Sequence, residues 1–65
     1  MVYVTVADFH PPSALTELHE WQKHHADALA QLPDDAVRVD IGRAANGGDF
    51  ARVMVDDHFA SQFDS

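Results

Sequence analysis

The residues in this 65-residue chain best suited to chemistry are its five histidines, because imidazole both moves protons near neutral pH and binds metals. His19 and His24 fall in one long helical stretch with Glu20 between them. A zinc-binding helix needs two histidines four apart, so that both point at one ion. These are five apart and diverge by about 140° around a helix. Glu17, Glu20, His24 and Asp27 form a better set, since they share one face and combine carboxylates with an imidazole, donors that suit a weakly held divalent ion. The same face also reads as a solvated surface with Glu20 and His24 one turn apart, and no metal or other cofactor is expected. His10 and His58 flank the helical regions near Asp8, Asp56 and Asp57. They would make an acid–base pair only inside a pocket, which a chain this short rarely builds.

Nucleophiles and phosphate cradles are weaker still. Gly42, Gly47 and Gly48 are spaced like part of a phosphate loop, but the lysine and hydroxyl residue that must follow are absent, and the segment joins two strands. Ser13, Ser61 and Ser65 do not sit in a nucleophile elbow. Catalysis by a single copy is therefore not expected. An enzyme or metal site built across two subunits stands as a third reading of function, behind the two given below.

The element that must position these residues is a helix over 12–32. At 100° per residue, Ala14, Leu15, Leu18, Trp21, His25, Ala28, Leu29 and Leu32 share one side, and Glu17, Glu20, His24, Asp27 and Gln31 share the other. Pro11, Pro12 and Ser13 suit a helix start, and Pro33 enforces the stop. His25 interrupts the apolar side. It reads as a neutral core histidine bonded to a backbone carbonyl or, with Trp21, as part of a subunit seam that titrates when opened.

Three β-branched stretches flank the helix. Residues 2–7 alternate Val2, Val4 and Val6 with Tyr3 and Thr5. Residues 36–43 alternate Val37, Val39 and Ile41 with Arg38 and Asp40. Residues 49–55 alternate Ala51, Val53 and Val55 with Phe50, Arg52 and Met54. Asn46-Gly47-Gly48 turns the last two into a hairpin. Phe59 and Phe63 share a side of a short C-terminal helix. The fold class is α+β in one domain: β-α-β-β with one long helix on one face of a three-stranded sheet. Strand 1 is expected beside strand 3 with strand 2 at the edge, as in half of a ferredoxin-like unit, a likeness of layout only; the alternative order has strand 2 in the middle.

The net charge is −7, from eleven acidic and four basic residues. That opposes direct contact with nucleic acid and favours basic protein partners. The acidity and near absence of lysine also fit salt adaptation, a GC-rich genome, or phage-type mimicry of nucleic-acid charge. Cysteine is absent, so disulfides cannot support so small a core, and oligomerisation is the remaining aid. No leader or membrane-spanning stretch is visible, which makes the cytoplasm the default location. The sheet face away from the helix carries Tyr3, Arg38, Phe50, Arg52 and Met54, residue types enriched at interfaces. The leading functional reading is a homodimeric interaction module that regulates or inhibits a partner protein. The alternative is a charge mimic that blocks a basic nucleic-acid-binding protein.

Overall fold

The deepest strand in the molecule is the last one, β3 (Asp49–Asp56), in which Ala51, Val53 and Val55 are completely buried. It lies between β1 (Tyr3–Phe9) and β2 (Val37–Arg43) and runs antiparallel to both. The computed structural model describes residues 2–43 and 45–63. Between β1 and β2 come α1 (Ala14–His24), α2 (Ala26–Ala30) and a 3-10 turn (Asp34–Ala36), and a second 3-10 turn (Ala60–Phe63) follows β3. The class is α+β, a three-stranded antiparallel sheet with a helix packed on it. Among the described residues no helix is long and apolar enough to cross a membrane.

The register differs from simple alternation along β1. Val4 lies opposite Val55, but Ala7 lies opposite Val53 and Phe9 opposite Ala51, with a bulge between Thr5 and Ala7. A bulge inserts one extra residue and reverses which face the following side chains take. The strand therefore runs on to Phe9 instead of ending at residue 7. Val6 and Ala7 both pack towards the core, and Asp8 joins Thr5 on the other face.

The single helix expected over 12–32 is two helices with a break at His25, whose backbone lies at φ −105° and ψ 19°. No glycine or proline causes the break. The His25 N–H donates to the Trp21 carbonyl at 3.0 Å, and His25 Nδ1 reaches the same oxygen at 3.0 Å. A side chain that shares a ladder acceptor bends a helix locally. The turn-to-turn ladder resumes with Leu29 N–H donating to the His25 carbonyl at 3.0 Å.

The apolar side is also narrower than expected. Ala14, Leu18 and Leu32 are buried with Ala36 and Phe63, while Trp21, Ala28 and Leu29 are half-buried around them. Leu15 is exposed, as are Val2, Val39 and Ile41. The cause is coverage: α1 packs on β3 and β1 and hardly touches β2. Val2 precedes β1 altogether. The expected short C-terminal helix is one 3-10 turn, which touches β1 and puts Phe63 in the core, stacked on Trp21 at 5.6 Å.

These positions separate by mutation. Leu18→Ala removes a fully buried side chain and is expected to cost roughly 2–5 kcal/mol. Leu15→Ala is expected to stay within about 0.5 kcal/mol. Urea unfolding followed by Trp21 fluorescence measures both, and equal losses would show that α1 is seated on a different face.

Candidate functional site

With the register known, the sheet face away from the helices can be set out row by row. Tyr3 and Asp56 form the first row, and Thr5, Met54 and Arg38 the second. Asp8, Arg52 and Asp40 form the third, and Phe50 and Gly42 the fourth. The structure thus brings Tyr3, Arg38, Phe50, Arg52 and Met54 onto one surface. Tyr3, Phe50 and Met54 are half-buried, and Arg38 and Arg52 are exposed. The Tyr3 hydroxyl crosses the end of the sheet to donate to the Asp35 carbonyl. Phe50 lies over Gly42, where an added Cβ would meet its ring at 2.7 Å, so glycine is what gives the ring room there.

The charges on this face are organised in pairs. Arg52 Nε and Nη2 donate to the two Asp8 carboxylate oxygens, each at 3.3 Å. Two parallel bonds from one guanidinium fix its orientation as well as its position. Arg38 sits 3.8 Å from Asp40, the next outward-facing residue on β2. Asp8 also lies 4.0 Å from His10. Alternation in residues 2–7 did not reach Asp8. The sign that does reach it is the move of apolar residues from even positions (Val2, Val4, Val6) to odd ones (Ala7, Phe9), which is what a bulge leaves in a sequence.

His25 and Trp21 lie on the other side of the molecule. Their ring centroids are 4.5 Å apart, and His25 is 5.7 Å from Phe63. A carbonyl oxygen only accepts, so the contact with Trp21 places the His25 proton on Nδ1 and leaves Nε2 as the acceptor of the neutral ring. His25 is half-buried.

Glu17, Glu20 and His24 stay apart as a metal set and are exposed, with Glu17 accepting instead from the Ser13 hydroxyl at 3.0 Å. Among the described residues, the group of three whose ligating atoms lie within 4.8 Å of one another is Asp56, Asp57 and His58. Its local bonds are those of a turn. The Asp56 carboxylate accepts the His58 N–H at 3.1 Å, Asp57 N–H donates to the Val2 carbonyl at 2.8 Å, and Phe59 N–H donates to the Asp56 carbonyl at 2.8 Å. The carboxylate thus ties the end of β3 to the segment that carries Phe63. No cavity opens among the described residues. Compared with known protein families, curated proteins and solved structures, the chain matches none.

The Asp56 carboxyl is held below the ordinary aspartate value of 3.8, first by the His58 N–H, with Asp57 and His58 assisting and partial burial opposing. A depressed carboxylate stabilises the fold above its unfolded-state value, and that contribution disappears as pH falls through the lower folded value. Asp56→Asn has no such proton. The stability advantage of the natural protein over Asp56→Asn should therefore be larger at pH 7 than at pH 2. Urea titrations at both values check this, and an advantage that does not change with pH would remove the turn-anchoring role from the charge.

Proposed function

We propose that this chain is a small acidic protein–protein interaction module, a homodimer that regulates or inhibits a partner protein through the outer sheet face. The observation that carries the reading is the composition of that face. Tyr3, Phe50 and Met54 sit half-buried among Arg38 and Arg52, on the side of the sheet where no described helix packs. Aromatic, methionine and arginine side chains supply much of the binding energy where proteins meet. Surrounding charge of −7 favours a partner with a basic surface. We read the layout as β-α-β-β, with α1 and α2 as one interrupted helical arm that braces the sheet from behind.

The charge-mimic reading is less well supported. It needs carboxylates free to stand in for phosphates, and on this face Asp8 and Asp40 are matched by Arg52 and Arg38.

Affinity capture from the native host tests the proposal. Met54→Lys should weaken retention of the captured partner by about tenfold or more, because it puts a charge at the centre of the face. Glu20→Lys, on the exposed back of α1, should leave retention unchanged. Equal retention by both variants, or loss with Glu20→Lys alone, would move the docking surface off the sheet.

A further inference from the structure

The open edge of β2 has a property that neither the outer face nor the helices share. It reads Val37, Arg38, Val39, Asp40, Ile41, and it is apolar on the helix side and charged on the outer side. Val39 is 38% exposed and Ile41 is 58% exposed, because α1 lies over the other two strands. The opposite edge of the sheet, β1, is interrupted by its bulge, a device that blunts edge pairing. β2 pairs with β3 through seven consecutive residues without a register shift. A regular edge with exposed apolar residues is a template for another strand.

We infer that the occupant of this edge is a second copy of the same chain, paired antiparallel β2 to β2 with Val39 on the two-fold axis. The inference rests on the homodimer reading above and adds to it the surface and the register. In an antiparallel pair, residues directly opposite share a face, and like charges opposite each other destabilise. Two-fold registers centred on Arg38 or Asp40 set that residue against its own copy. Registers centred on Val37 or Ile41 leave neither Arg38 nor Asp40 facing an opposite charge. The register centred on Val39 sets Arg38 against Asp40 of the second copy, and Asp40 against its Arg38. It also sets Val37 against Ile41.

That register continues what each subunit already has. The row Asp8, Arg52, Asp40 on the outer face gains the second copy's Arg38, so four charges alternate in sign across the junction. On the helix face, Val39 meets its own copy and extends the row it forms with Val53, and the exposed Ile41 comes beside Val37. Asp34 and Asp35 precede β2 and Arg43 ends it, so antiparallel pairing also brings the acidic end of one strand to the basic end of the other. The product is a continuous six-stranded sheet whose outer face is twice as wide.

Light scattering and sedimentation of the full chain across micromolar concentrations test this by charge exchange. Arg38→Asp sets aspartates against Asp40, Asp40→Arg sets arginines against Arg38, and each should raise the dimer dissociation constant by about tenfold or more. The double variant Arg38→Asp with Asp40→Arg restores unlike pairs and should dimerise like the natural protein. Ile41→Lys alters a side chain exposed in the single copy, so it should weaken the dimer while Trp21 fluorescence stays native. A natural protein that stays monomeric throughout overturns both the homodimer reading and this inference. A dimer indifferent to the single exchanges and to Ile41→Lys overturns the β2 pairing alone.

Discussion

One helical arm has to cover a three-stranded sheet, and it covers two strands. The eleven residues of α1 make a rod roughly 16 Å long and about 10 Å across with its side chains. Strands lie about 4.8 Å apart, so a rod of that width laid along β1 and β3 leaves the third strand largely bare. The complete burial of Ala51, Val53 and Val55, the half-burial of Trp21 and the exposure of Val39 and Ile41 all follow from this seating. Phe63 and the C-terminal turn fill in beside Trp21, on the side away from β2.

The sheet divides its labour by face. On the helix side the residues are apolar in rows, and their work is cohesion. On the outer side Arg52 is gripped by both oxygens of Asp8, and Arg38 stands beside Asp40. Exposed pairs of this kind contribute little to stability, about 0–1 kcal/mol each. What they do is order the guanidinium and carboxylate groups, so that the face presents fixed, paired charges in a chain whose overall charge is strongly negative. Phe50 lying over Gly42 adds an apolar ring at the far end of the same face.

Much of this was legible in the residues themselves, and the rest was hidden for identifiable reasons. Period-two alternation located all three strands and assigned Phe50, Arg52 and Met54 to one face, because a strand has only two faces to choose between. Alternation does not say which strand the helix will lie over, so Val39 and Ile41 looked like core. The bulge in β1 was written in the shift from Val6 to Ala7 and Phe9, but only two residues carry it. The break at His25 had no helix-breaking residue to announce it. At the break a side-chain nitrogen shares the Trp21 carbonyl with the His25 N–H, a contact that depends on rotamer and is not announced by residue type. On α1, shared angle on a helical wheel places Glu17, Glu20 and His24 on one face without bringing their tips within 4.8 Å of one another.

Making the middle strand out of the last third of the chain has a kinetic side. β2 and β3 zip together across a short connection, a closure that takes microseconds and fixes little chain. β1 must find the other flank of β3 across an intervening loop of about forty residues, which is entropically costlier and slower. By sequence separation the connectivity favours early closure of the hairpin and later docking of the N-terminal strand. A hairpin not yet joined by β1 has both edges bare; β1 closes the one on β3 and leaves the one on β2 open.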